Sequence, residues 1–306
     1  MRADCPGRRR KTGLGSRAPC EHGSANPRGL MKDNEQGPET TEVETGVAPG
    51  SPATPRGQTP QPRVFRIEPV GHNRHPLNRV GRLLLKGLGN LLLFSILLVL
   101  TLRWLDPPAS AFMLRHAYNL WRLDQSPPFY HQTWVPWDRI SLPTRLAAIA
   151  GEDQRFPTHL GFDLTEIRLA WTDYKNGGRL RGASTITQQA AKNLFLWPGS
   201  DLPRKLLEAW FTLLMEILWP KERILEVYLN IVQFSPNTYG IGAASLRYFG
   251  RPASELTMRE ASLLIGVLPA PGHYRLDRPS ERLERRAAWI TDQASRLGGT
   301  RYLNRL

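Results

Sequence analysis

"ISLPTRLAAIAGEDQRF" occupies Ile140–Phe156 and reads as a helix. Ser141 stands where an N-cap belongs, and the apolar residues after it recur at helical spacing. The run ends on two adjacent carboxylates, Glu152 and Asp153. A charged side chain at the end of an apolar helix is costly unless it is paired or used. This stretch therefore points to a helical fold and raises a question of chemistry together.

The segments that follow read the same way. "DLTEIRLAWTDYKNG" opens with Asp163 and Glu166 in capping-box spacing, and "TMREASLLIGVLPAP" repeats the device with Thr257 and Glu260 before Pro269 and Pro271 stop it. "PKERILEVYLNIV" starts with Pro220 near the first turn, and "SERLERRAAWITDQASRLGG" forms a last amphipathic helix ending at Gly298. There is no run of alternating strands and no internal repeat, so the expected fold class is mainly α.

Upstream, composition changes sharply. Residues 1–75 are rich in Pro, Gly, Ser, Thr and charge and poor in large apolar side chains. Such a segment cannot bury enough surface to offset its chain entropy, and it is expected to be a disordered tail. The run "RRRK" at Arg8–Lys11 is read as a solvated charge cluster. After the tail comes an uncharged stretch of 16 residues, Gly87–Leu102, flanked by Lys86 and Arg103. Leu and Ile fill nearly every face of it, as in a membrane span and unlike the single stripe of a core helix. It lies too deep for a cleaved signal, so residues 83–105 are expected to be an uncleaved transmembrane anchor and residues 106–306 one outer domain. Arg74, Arg79, Arg82 and Lys86 precede the span, against Arg103, Asp106 and Arg115 after it. The positive-inside rule then places the tail in the cytoplasm. The two cysteines, Cys5 and Cys20, are both in the tail, and Met31 is an alternative start that would remove them.

The formal net charge of +14 divides evenly, 15 Lys/Arg against 8 Asp/Glu in residues 1–86 and 26 against 19 in the remainder. Charge of this size suits nucleic acid, anionic lipid or a phosphorylated substrate and does not choose among them. Motifs narrow the choice. HExxH, paired-Cys spacing and GxSxG are all missing from the sequence, and "KTG" at Lys11–Gly13 falls in the tail without any Ser-x-x-Lys to accompany it. What remains is carboxylate chemistry joined to basic residues. In "RGASTITQQAAKNLFLW" a helix starting near Ser184 would align Ser184, Gln188 and Lys192 in one row and Thr185, Gln189 and Asn193 in the next. "DLPRKLLEAWFTLLMEILW" sets Arg204 and Lys205 one turn before Glu208. The aromatics around it, Phe195, Trp197, Trp210, Phe211 and Trp219, suit either a core or a membrane surface.

Taken together, "EDQRFPTHLGFD", "GASTITQQAAKN", "RKLLE", "KERILEVYLN" and "REASLLIGVLPAP", in this order, resemble the motifs of the peptidoglycan glycosyltransferases, glycosyltransferase family 51, in its monofunctional biosynthetic transglycosylase branch. The resemblance covers about Leu142 to Tyr274. One departure is visible: Ala183 stands where the family usually has a second Gly before Ser-Thr-Ile-Thr. The resemblance implies a lysozyme-like helical domain that joins lipid II into β-1,4 glycan strands and releases undecaprenyl pyrophosphate. It implies Glu152 as the base on the acceptor sugar's 4-hydroxyl, made more basic by partial burial, and Glu208 as a second catalytic carboxylate. Asp153, Phe156, His159, Ser184, Thr185, Gln188, Gln189, Lys192, Asn193, Arg204 and Lys205 would bind substrate or shape its pocket. Lys221, Glu226, Tyr228 and Asn230 would brace the site. A divalent cation, Mg or Mn, is expected, its ligands unassigned. Expected partners are lipid II, the growing glycan strand, membrane lipids and other cell-wall synthesis proteins, with no nucleic acid. Two rival readings are a lysozyme-like glycan hydrolase, which has no need of Lys192, Arg204 and Lys205 around a phosphate, and a non-catalytic assembly scaffold, which has no need of Glu152 and Glu208.

Overall fold

The computed structural model describes residues 77–123, 130–178 and 184–306. The expected disordered tail, with Cys5, Cys20, "RRRK", "KTG" and Met31, lies outside the described residues, as does Ala183. The described residues are mostly helical, as expected. In chain order the helices are α1 (Leu77–Thr101), α2 (Ala111–Arg122), α3 (Leu142–Glu152), α4 (Leu164–Lys175), α5 (Ile186–Phe195), α6 (Leu202–Leu218) and α7 (Lys221–Ile231), then α8 (Ile241–Phe249), α9 (Met258–Val267) and α10 (Glu281–Arg296). Between α7 and α8 a short antiparallel hairpin pairs β1 (Gln233–Ser235) with β2 (Thr238–Tyr239).

Caps define many of these boundaries. Ser141 caps α3 by accepting from the Thr144 amide. Thr257 and Glu260 form a full capping box at α9. At α4, Asp163 accepts from the amides of Thr165 and Glu166, so the cap is Asp163 alone. Each such cap contributes about 1 kcal/mol.

The core gathers around α3, α7 and α9. Leu146, Ala147, Ile149 and Ala150 of α3 pack with Ile224, Leu225, Tyr228 and Leu229 of α7 and Leu263, Leu264 and Ile265 of α9, all at most 2% exposed. Full burial of each large apolar side chain contributes about 1.5–3 kcal/mol. Helix α10 adds Leu283, Ala287, Ile290 and Ala294 to the same core. Gly151 makes the close packing possible, because a Cβ there would come 2.8 Å from Ile265 Cγ2 and 3.2 Å from Ile290 Cδ1. The residue before Glu152 thus lets α9 and α10 press against the end of α3.

Helix α1 starts before residue 83 and ends at Thr101, and its 23-residue stretch Arg79–Thr101 is long and apolar enough to cross a membrane. Leu83, Leu84, Leu91 and Phe94 stand exposed on it, whereas Ser95 and Val99 are buried against the domain that follows. Trp210 Nε1 donates to Ser95 Oγ at 3.0 Å, and Trp219 Nε1 donates to the Val99 carbonyl at 2.8 Å. Arg223 then takes the turn after the helix, donating to the carbonyls of Leu102 and Leu105 and to Asp106. Two of the aromatics left open between core and membrane surface therefore fasten the apolar helix to the domain. Phe195 and Phe211 stack on each other at 4.4 Å, and Trp197 is exposed.

Candidate active site

Glu152 is the last residue of α3, and its side chain is 11% exposed. Each of its oxygens has one donor: Gln189 Nε2 to Oε2 at 3.0 Å and Arg286 Nη2 to Oε1 at 3.2 Å. Gln189 is itself oriented by Tyr228, whose hydroxyl donates to its Oε1 at 3.2 Å. Burial pushes the Glu152 carboxyl above its ordinary value of 4.5, and the bonds from Gln189 and Arg286 hold the rise back. The fully buried Tyr228 hydroxyl is also pushed well up, first by burial and then by the nearby Glu152 charge, so it stays a donor.

Asp153 faces the other way. It accepts from the Ile186 amide at 3.0 Å and pairs with His159 Nε2 at 2.9 Å. It therefore ties the start of α5 to the loop after α3. Phe156 is fully buried, with the Lys221 ammonium 4.4 Å above its ring and the His159 ring at its edge. Lys221 also donates to the His159 carbonyl at 2.7 Å and pairs with Glu216. Phe156 and His159 thus shape the site from behind and leave its exposed wall to other residues.

The aligned rows expected on α5 are realised only in part. The helix begins at Ile186, and Ser184 lies ahead of it, exposed. Thr185 and Gln188 are turned on each other in a capping box, and Thr185 Oγ1 also donates to the Gly161 carbonyl at 2.7 Å. These two side chains are placed as the frame of the loop. Asn193 is buried, and Lys192 is half-buried. Burial lowers the Lys192 ammonium below its ordinary 10.5, Glu208 opposes that, and the charges of Arg204 and Lys205 add to it. Lys192 also feels the Glu152 charge, more weakly than that of Glu208.

Glu208 is 3% exposed and has both oxygens taken, one by Arg204 Nη1 at 2.6 Å and one by Lys205 Nζ. It holds cations in place. The Arg204 side chain is 6% exposed, and its Nε has no hydrogen-bond partner. Lys192, Arg204 and Lys205 against Glu208 leave an excess of positive charge beside Glu152, as an anion site would need. Glu226 and Asn230 tie α7 to the segment before α3. Glu226 accepts from the Trp137 amide and from Arg223, while Asn230 bonds the amide and carbonyl of Val135.

Sequence reasoning missed two residues, Arg286 and Trp289, both on α10. A cleft of about 380 Å³ at the C-terminal end of α3 is lined by Glu152, Asp153, Arg155, Ser184, Thr185 and Trp289. The available signal was the register of α10: Arg286 lies three residues after buried Leu283 and four before buried Ile290, on the flank of the inward stripe.

Asp153, His159 and Asp163 bring three ligand-type atoms within 4.8 Å of one another. Both carboxylates already have protein donors, however. Asp163 takes Arg155 and two amides of α4, and Asp153 takes His159 and the Ile186 amide. Both oxygens of Glu208 are likewise paired with cations. A divalent cation at either place would compete with the protein donors that already meet each carboxylate.

Residues 124–295 match the family model described as Transglycosylase. The chain is 48% identical over 225 residues to a Biosynthetic peptidoglycan transglycosylase of Pseudomonas fluorescens, covering 74% of this chain and 93% of that protein. It is 49% identical over 230 residues to one of Ectopseudomonas mendocina, covering 75% and 95%, and 46% identical over 233 residues to one of Stutzerimonas stutzeri, covering 76% and 94%. The cleft carboxylate, the cation cluster and these matches agree: the chain belongs to the biosynthetic peptidoglycan transglycosylases, glycosyltransferases of cell-wall synthesis.

Proposed function

We propose that the enzyme polymerises lipid II into β-1,4-linked glycan strands by inverting transfer, with Glu152 as general base. The acceptor sugar's 4-hydroxyl gives its proton to Glu152 as its oxygen attacks the donor's anomeric carbon. The bond from that carbon to the pyrophosphate breaks, and undecaprenyl pyrophosphate leaves with the electron pair. Lys192, Arg204 and Lys205 would take up the charge on the departing phosphate, where fixed cations stabilise the transition state more than the ground state. Glu208 keeps Arg204 and Lys205 in position, and no step is routed through a divalent cation.

The observation that carries this reading is Glu152 itself: cleft-lining, mostly buried, and with one donor fixing each oxygen. Its raised proton affinity suits a base, and the two donors orient it. The exposed apolar helix α1 supports a single-pass anchor in the bacterial inner membrane, N-terminus cytoplasmic and catalytic domain periplasmic. A lipid-tailed substrate would then meet the enzyme in two dimensions. The hydrolase reading leaves the cations around Glu208 without a task. The test is incubation of the detergent-solubilised full chain with labelled lipid II. Long strands with β-1,4 linkages support the proposal, whereas fragments cut from added glycan, or intact monomer, overturn it.

A further inference from the structure

Trp289 is 45% exposed although it sits on the best amphipathic helix of the domain. It is not among the buried residues of α10, which are Leu283, Ala287, Ile290 and Ala294. Among the described residues no aromatic ring and no cation packs on its indole, and its Nε1 has no hydrogen-bond partner. Several other tryptophans of the domain show what an engaged indole looks like here: Trp210 and Trp219 donate to α1, Trp134, Trp137 and Trp171 lie under cations, and Trp197 bonds Asp201. What Trp289 does have is a place on the wall of the Glu152 cleft, whose other lining groups are mostly polar or charged.

A large flat apolar surface set in a polar cleft fits one ligand chemistry well, a pyranose ring. In a sugar whose ring substituents are mostly equatorial, the axial C–H groups form an apolar face, while the hydroxyls project from the edge. Such a face packs on an indole, and the edge is left to meet hydrogen-bonding groups. Position on the helix decides which sugar this would be. Trp289 follows Arg286 by three residues, so the two share one surface of α10, and Arg286 donates to Glu152 at 3.2 Å. A ring stacked on Trp289 would therefore lie in the cleft that Glu152 lines, one helical step from the residue that bonds the base.

We infer that Trp289 is a stacking platform for the acceptor sugar, the one whose hydroxyl Glu152 deprotonates. This rests on the glycosyl-transfer reading of Glu152. The platform sets the distance and tilt of the acceptor ring and selects for saccharides with an unobstructed apolar face, so it acts on binding more than on the chemical step.

The test uses the full chain in detergent as wild type, Trp289→Phe, Trp289→Leu and Trp289→Ala. Initial rates of strand formation are measured across lipid II concentrations, and thermal melting confirms that each variant is folded. Because the indole is half-exposed and outside the packed stripe, all four should melt alike. Trp289→Leu and Trp289→Ala should raise KM about three- to tenfold, the range expected for one aromatic contact, with kcat within about twofold. Trp289→Phe should recover most of the loss, since it restores a flat ring. Equal kinetics in the leucine variant and the wild type would overturn the inference while leaving the glycosyl-transfer reading intact. So would a fall in kcat alone in all three variants, which would mean that Trp289 acts through the position of Arg286. A folded wild type that makes no strands would instead remove the glycosyl-transfer reading on which the inference rests.

Discussion

Glu208→Ala should unfold the cation cluster more than it removes chemistry. The Glu208 side chain is 3% exposed and that of Arg204 is 6% exposed, and Glu208 is the one described side chain that accepts from the Arg204 guanidinium. Were this pair on the surface, its loss would cost about 0–1 kcal/mol. Buried, it leaves an uncompensated guanidinium beside Lys192 and Lys205, a situation that costs about 3–5 kcal/mol. For a domain of this size each kcal/mol lowers the melting temperature by about 2–4 °C, so a fall of roughly 6–20 °C is expected. Two controls make the reasoning specific. Arg204→Met/Glu208→Ala removes both charges and should recover most of the loss, because replacing a buried pair with apolar groups is often close to neutral. Pyrophosphate should also restore stability to the single variant if the cluster is an anion site, by about 2.7 kcal/mol at a hundredfold excess over its dissociation constant. The assay is thermal unfolding followed by circular dichroism in detergent. A single variant that melts within about 2 °C of wild type, or a double variant no more stable than the single one, would refute the argument.

Further outcomes follow from the same geometry. Deprotonation of Glu152 should set the acidic limb of the kcat/KM profile, and that limb should lie above pH 4.5, since burial raises this carboxyl. Arg286→Met removes a donor and a positive charge that hold the rise back, so the limb should move to higher pH; a limb that stays put or moves down would show that Arg286 does not act on the base. The stability consequence has a definite sign. The folded state binds this proton more tightly than the unfolded chain, so the contribution is present in full below pH 4.5 and is lost as pH rises through the folded value. Arg223→Met should loosen the turn after α1, because it deletes donors to Leu102, Leu105 and Asp106. Amide exchange over residues 102–110 should quicken while α9 keeps its protection, and uniform protection in both segments would contradict the anchoring role given to Arg223.

Local signals explain why so much was legible in advance. Ser141, Thr257 and Glu260 cap the helices their spacing announces, and Glu152 sits at the end of its apolar helix with the rise in proton affinity that burial implies. The β1–β2 hairpin was missed because strands of three and two residues are too short to show a period of two. Thr185 and Gln188 looked like members of a polar stripe, yet they form a capping box at the start of α5, which engages the Thr185 hydroxyl and the Gln188 Oε1. Arg286 was out of reach for a different reason. Its partner lies 134 residues away, and the contact depends on Gly151 allowing α10 close to α3. The fastening of α1 by Trp210, Trp219 and Arg223 is likewise a long-range matter, for which an aromatic in an apolar run gives no direction.

The central claim is that Glu152 is the base. The most direct measurement is single-turnover coupling of lipid II by wild type and by Glu152→Gln, with melting curves to show that both are folded. Glutamine keeps the size of the side chain and a carbonyl acceptor but cannot take the proton at working pH. The account predicts a rate loss of about a hundredfold or more in the coupling step, with lipid II still bound. A folded Glu152→Gln enzyme that couples lipid II at a rate close to wild type would contradict it.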